Sequence, residues 1–289
     1  MKDDILTVLE NKAPLFSKGQ RIIAKYITES YDKAAFMTAN RLGKIVGVSE
    51  STVVRFAVEL GYDGYPSMQK AMQKMVLNRL TSVQRIGVAN DRIGNQDVLS
   101  TVLQADADKL RQTAEIIDRD AFRLSVNAIL QAKRIYVLGV RSAAALASFM
   151  GYYLSFMFSN VHIITNSGES EVFEKLVGID SEDVVVAFSF PRYSALIAKC
   201  AQFCRSAGAS VIALTDSELS PLGSASDYVL LAKSDMVSLV DSLVAPMSVV
   251  NALLVALAAE KEQALSKTFN LLEKIWDEYN VYEKQVDSK

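Results

Sequence analysis

Along the first 78 residues apolar positions recur with helical spacing only. In "SKGQRIIAKYITES" (17–30), Ser17 stands at an N-cap position, and Ile22, Ile23, Tyr26 and Ile27 are expected to face inward. "TANRLGKIV" (38–46) is a second helix, with Leu42 and Ile45 expected inward. In "GVSESTVVRFAVELG" (47–61), Val53, Phe56, Ala57 and Leu60 fall at i, i+3, i+4 and i+7. Glu50, Ser51, Val54, Arg55 and Glu59 fall on the other side. Ser49 is placed to cap this helix and Gly61 to end it. Gly47, in the joint, allows a tight turn and a steep angle between helices, which is helix-turn-helix spacing. In that motif the second helix enters the major groove. A further helix is expected after the Gly/Asp/Gly/Pro turn that opens residues 61–80.

The pattern changes after a weakly periodic stretch rich in Gly and Asn. That stretch, 79–97, reads as a linker between an all-α domain (1–78) and a second domain (98–289). Helices are expected at 98–117 and 121–132. Short apolar runs then alternate with helical periods: "RIYVLGV" (134–140), "VHIIT" (161–165), "DVVVAFSF" (183–190), "SVIALTD" (210–216) and "YVLLA" (228–232). Continuous apolar strands with helices between them describe an α/β domain, a five-stranded parallel sheet covered on both faces. Two closing helices are expected at about 241–261 and 262–285.

Charge sharpens the division. The chain has 289 residues and a formal net charge of −2, which argues against a protein that coats nucleic acid generally. Residues 1–80 nevertheless carry 12 Lys and Arg against 8 Asp and Glu, so the positive excess lies with the helix-turn-helix. Cys200 and Cys204, at i and i+4, read as two reduced core thiols, and no metal or cofactor is expected. The N-terminus is charged and lacks an apolar signal core. The apolar runs 143–158 and 243–259 are short for a roughly 20-residue span and read as buried helices, so a soluble cytoplasmic protein is expected.

In open parallel sheets, ligands bind beyond the carboxyl ends of the strands. Two loops stand there: "GVRSA" (139–143) after strand one and "SFPRYS" (189–194) after strand three. They bring Ser142, Ser189 and Ser194 to one end of the sheet beside two helix N-termini, an arrangement suited to an anion. Arg192 and Arg141 add forked charges that match phosphate or carboxylate.

With "GVSESTVVRF" continuing into "ELGYDGYPSMQKAM" and then this α/β pattern, the chain resembles the RpiR family of bacterial transcriptional regulators over nearly its whole length. The second domain resembles a SIS (sugar isomerase) domain, which in that family implies sensing of a phosphorylated sugar. Gly139 and Ser142 match the first SIS loop. Ser189 and Ser194 match the ends of a second loop of the form S-x-S-G-x-T/S, whose middle Ser and Gly are replaced by Pro191 and Arg192, with Tyr193 intervening. A hydroxyl is lost and a guanidinium and a phenol are gained. The expected ligand is therefore a phosphorylated sugar or a sugar acid, held by Arg141, Ser142, Ser189, Arg192, Tyr193 and Ser194. The "GVS..TV.R" pattern is shared with lac-repressor-like motifs, which implies Glu50, Ser51 and Arg55 as base readers. Ser49, Thr52 and Lys44 are the candidate phosphate contacts.

SIS domains also occur in aldose–ketose isomerases and sugar-phosphate lyases, so an enzyme is the alternative. Glu169, Glu171, Glu174, Glu260 and His162 are the candidate bases, yet none lies in the two serine loops, and His162 is expected to pack in the sheet. A sensor that also binds DNA accounts for the basic first domain and an isomerase does not. The expected assembly is a homodimer, or a tetramer, paired through the α/β domains with the 243–259 helix contributing, on a roughly palindromic double-stranded operator.

Overall fold

The structure is a computed structural model that describes residues 5–79, 97–165, 168–234 and 240–282. The chain divides into two compact units with the boundary after Arg92. The linker expected at 79–97 lies, apart from its end residues, outside the described residues.

The first unit contains helices α1 (Ile5–Lys12), α2 (Lys18–Glu29), α3 (Tyr31–Ala34), α4 (Ala39–Val46), α5 (Glu50–Glu59) and α6 (Tyr65–Arg79). Their apolar stripes meet in one core. Ile23, Ile27, Leu42, Val53, Phe56, Ala57, Met68 and Met72 have no accessible surface. Phe16 packs edge-on against Phe56 at 5.3 Å between ring centres. Polar ties close the far side: the Tyr65 hydroxyl and Gln69 Nε2 both donate to the Met37 carbonyl, at 2.7 and 2.8 Å. Two residues depart from expectation. Ile22 and Ile45 are exposed, because the inward stripes run Ile23–Ile27 on α2 and Ala39–Leu42–Gly43 on α4. Each of the two lies roughly 100° around its helix from that stripe.

The second unit opens with α7 (Val98–Ile116) and α8 (Arg119–Gln131), capped by Asp97 and Asp118. The sheet comprises β1 (Arg134–Gly139), β2 (Val161–Ile164), β3 (Asp183–Phe188), β4 (Ser210–Thr215) and β5 (Tyr228–Leu231). All neighbours are parallel in the order β2-β1-β3-β4-β5. Helices α9 (Ala144–Met157), α10 (Glu169–Leu176), α11 (Ala195–Ser206), α12 (Val244–Glu260) and α13 (Glu262–Glu278) complete the unit. Side chains alternate along each strand, which divides the interior in two. Ile135, Val137, Val184 and Val186 pack with α8, α9 and α12. Tyr136, Leu138, Val185 and Ala187 pack with α10 and α11. At the amino-terminal end of the sheet, Arg134 grips Asp183 with both arms of its guanidinium, Nε to Oδ1 at 2.7 Å and Nη2 to Oδ2 at 2.6 Å.

Cys200 and Cys204 are free and buried in the core under α11. Burial pushes their thiols up to about 11 and about 12. In the unfolded chain they ionise near the ordinary value of 9.0. Below that pH both states hold the protons. Above it only the folded state does, so stability is expected to fall as pH rises from 9 towards 11. The loss is about 1 kcal/mol per thiol by pH 10. Urea unfolding at pH 7 and pH 10 checks it: the Cys200→Ala/Cys204→Ala variant should lose clearly less stability than the parent over that interval.

Candidate functional site

The first site is α5 and its surroundings. The α4–α5 joint turns at Gly47, whose φ of +75° is the left-handed conformation glycine adopts without strain. Gly43 is as specific: a Cβ there would lie 2.8 Å from the Val48 carbonyl, so only glycine lets the joint close on α4. Ser49 caps α5 by accepting from the Thr52 N–H at 3.3 Å, and its hydroxyl also meets those of Ser51 and Thr52 at 2.9 and 2.8 Å. The expected readers Glu50, Ser51 and Arg55 are all exposed, as are Ser49 and Lys44, with Thr52 half-buried. Glu50 accepts from Asn40 Nδ2 at 3.0 Å, which ties it to α4. Arg55 Nε donates to the Ser51 carbonyl at 3.3 Å, which lays the guanidinium along the helix. Val54 and Val58 share the outward face and offer apolar contact. Gly43, Asn40 and Val58 were not singled out from the sequence, and only Val58, by its helical phase, could have been.

The second site is at the carboxyl ends of β1 and β3. The order in which strands are added reverses between those two parallel strands, which opens the crevice where open α/β sheets take ligands. Gly139 ends β1 against the following turn: a Cβ on it would lie 2.5 Å from the Ala143 carbonyl oxygen. That turn, Arg141–Ala143, holds Arg141 at φ +58°, unusual for a residue with a side chain. Ser142 and Arg141 are exposed, and the Ser142 hydroxyl donates to Asp241 at 3.4 Å. Beyond β3, the buried Ser189 accepts the Ser194 N–H at 3.2 Å, which closes the loop. Ser194 is the N-cap of α11 and accepts from Ile197 N–H at 3.4 Å. The Tyr193 hydroxyl donates to Asp216, just past β4, at 2.7 Å. Arg192 is exposed. The six expected ligand residues thus stand on two neighbouring loops, and two carboxylates, Asp216 and Asp241, join them. Asp216 was visible as the last residue of the run "SVIALTD", which the structure leaves just past β4. Asp241 had no signal in the sequence.

The alternative bases lie outside the two serine loops. Glu169 pairs with Lys199 at 3.1 Å and Glu171 with Lys175 at 2.8 Å, while Glu174 accepts from the Ser170 hydroxyl. His162 is not packed inside the sheet as expected. It stands exposed on β2, at the sheet edge, with its ring stacked on Tyr136 at 4.8 Å. Among the described residues no group of three or more His, Cys, Asp or Glu could hold a metal ion.

Comparison with known proteins matches both units. A model of the helix-turn-helix domain of the rpiR family matches residues 3–78, and a SIS domain model matches residues 128–256. An uncharacterized HTH-type transcriptional regulator of Clostridium perfringens is 27% identical over 226 residues, 78% of this chain and 80% of that protein. One from Caldanaerobacter subterraneus is 23% identical over 268 residues, 89% of this chain and 92% of its own. The crystal structure of the sugar isomerase domain of an RpiR transcription factor from Sphaerobacter thermophilus superposes with a TM-score of 0.59 at 27% identity, covering 62% of this chain and 99% of that one. The Vibrio vulnificus NanR protein complexed with ManNAc-6P shares the fold over 93% of this chain and 98% of its own, with a TM-score of 0.58 and 23% identity. With a family helix-turn-helix in front and a SIS domain behind, the chain belongs to the rpiR family of helix-turn-helix transcriptional regulators.

Proposed function

We propose that the SIS domain is a sensor for a phosphorylated sugar or a sugar acid, and that its occupancy alters the affinity of the helix-turn-helix for a specific operator. The observation that carries the reading is the meeting of the Ser142 and Ser189–Ser194 loops at the β1/β3 crevice, with Arg141 and Arg192 exposed beside them. Hydroxyls, helix N-terminal N–H groups and two guanidinium forks are an anion's requirements. The left-handed Arg141 supports it too, since such backbone strain collects at ligand sites. The ManNAc-6P in the NanR structure of the same fold is a ligand of the proposed class. Sensing rather than catalysis is supported by the ion pairs that engage Glu169 and Glu171 and by the exposed position of His162 on β2. Two chains pair through their SIS domains. What supports this is α13, none of whose side chains is fully buried and which exposes Leu271 and Ile275, together with the exposed Tyr152 and Tyr153 on α9 and Val255 on α12. The protein acts in the cytoplasm, where its DNA is. Among the described residues no single helix is long and apolar enough to cross a membrane.

A thermal-shift series tests the ligand half. Full-length protein is heated with sugar phosphates, sugar acids and their unphosphorylated parents. A ligand present at 100 times its Kd stabilises the folded state by about 2.7 kcal/mol. The expected result is a rise in melting temperature with a phosphorylated or acidic sugar and none with the parents, lost in Arg192→Ala. A neutral parent that stabilises both proteins equally would sink the anion site. On the DNA side, Arg55 reads one base, with guanine the expected partner of its fork. Arg55→Ala is expected to weaken discrimination at one base pair by about 1–3 kcal/mol in a duplex-selection experiment, with preferences elsewhere retained. An identical selected motif would remove Arg55 from the readers.

A further inference from the structure

The cations that flank α5 extend beyond the helix-turn-helix itself. Going round α5 at about 100° per residue, Ser51 and Arg55 lie in the outward arc between Glu50 on one edge and Thr52 and Glu59 on the other. The Glu50 edge is covered by α4, through Asn40. The opposite edge is covered by the start of α2. A Cβ on Gly19 would lie 3.7 Å from both Thr52 and Val48, and Gln20 hydrogen-bonds Glu59. The outward face of α5 therefore has a helix along each side.

Both of those helices carry exposed cations. On α4 they are Arg41 and Lys44; on the first turn of α2 they are Lys18 and Arg21. Among the described residues none of the four has a carboxylate within ion-pair distance. Exposed cations on the SIS unit are commonly paired, as Arg111, Arg123, Lys133, Lys175, Lys199 and Arg205 are. One step further along α2, Lys25 is also paired, with Glu29 at 3.8 Å. The unneutralised charge on α2 is thus confined to the turn that abuts α5.

We propose that Lys18 and Arg21 contact the phosphate backbone on the side of the groove opposite to that met by α4, so that α5 is clamped from both edges. A major groove is about 12 Å wide and bordered by one phosphate strand on each side, which matches a reading helix with a basic helix at either flank. These contacts position the domain and read no sequence. The inference rests on α5 entering the groove, and its test separates the two.

Binding of full-length protein to a labelled 30-base-pair duplex of mixed sequence is followed by anisotropy between about 50 and 200 mM salt. Each phosphate contact contributes about 0.9 to the slope of log K against log salt. Lys18→Gln and Arg21→Gln are each expected to lower the slope by about 0.9 and the double variant by about 1.8, with binding at 0.1 M salt about 8-fold weaker in each single variant and about 60-fold weaker in the double. Lys25→Gln should leave the slope unchanged. If the double variant folds with the parent's circular dichroism and keeps the parent's slope, the second clamp is refuted, and so it is if affinity falls with no change of slope. If the parent itself binds no duplex at 50 mM salt, the DNA-binding reading fails and takes this inference with it.

Discussion

Arg134→Ala is expected to be among the most destabilising single substitutions outside the apolar core. The Asp183 side chain has no accessible surface, and its two oxygens receive Arg134 Nε, Arg134 Nη2 and the Asp180 N–H. Arg134 and Asp183 are paired residues across the β1–β3 ladder, so the fork also locks the register of the two strands that carry the loops proposed to hold the ligand. The same guanidinium reaches the Gly178 carbonyl and Asp180, which ties down the turn before β3. Truncation leaves the buried Asp183 charge without its counter-charge, which costs about 3–5 kcal/mol. For a unit of this size that is a fall in melting temperature of roughly 10 °C. Arg134→Lys keeps the charge but not the two-armed geometry and should lie between. Urea unfolding measures both variants. A loss below about 1 kcal/mol in Arg134→Ala would mean that the pair is a surface contact of ordinary weakness.

Gly139→Ala is the second large effect, and it links the sheet to the site. A methyl group there would lie 2.5 Å from the Ala143 carbonyl oxygen and 3.0 Å from Ala147 Cβ. The nearer obstacle is backbone and cannot swing aside. Accommodating it means moving the Arg141–Ala143 turn away from β1, at the upper end of the usual overpacking penalty, about 3 kcal/mol. Ser142 and Arg141 move with the turn, so the variant should melt lower and also lose any ligand-induced shift. Calorimetry with and without ligand checks both parts. A variant that melts lower but keeps its full ligand shift would show that this turn does not hold the ligand.

Local periodicity made most of this architecture readable. Val53, Phe56, Ala57 and Leu60 announced α5, and the apolar runs from Arg134 to Leu231 announced a parallel sheet because strands covered on both faces have no polar side. Serine and glycine at the strand ends marked the two loops proposed to hold the ligand for the same local reason. What stayed hidden depends on distant partners. Asp241 meets Ser142 across 99 positions and Asp183 meets Arg134 across 49, and no spacing rule spans such intervals. The need for glycine at position 43 comes from the Val48 carbonyl, which meets it only once the α4–α5 joint has closed. Ile22 and Ile45 were assigned inward because they are apolar, yet the helical phase of their neighbours decides, and it turns both outward.

The central claim is that occupancy of the β1/β3 crevice changes DNA binding by the helix-turn-helix. The most direct measurement is the Kd of full-length protein for its selected duplex, titrated with the sugar phosphate or sugar acid that raises its melting temperature. The account predicts a change of roughly 5- to 150-fold between ligand-free and saturated protein, corresponding to a coupling of about 1–3 kcal/mol. A duplex Kd that stays constant while the ligand demonstrably binds would contradict it, since a ligand with equal affinity for both states shifts nothing.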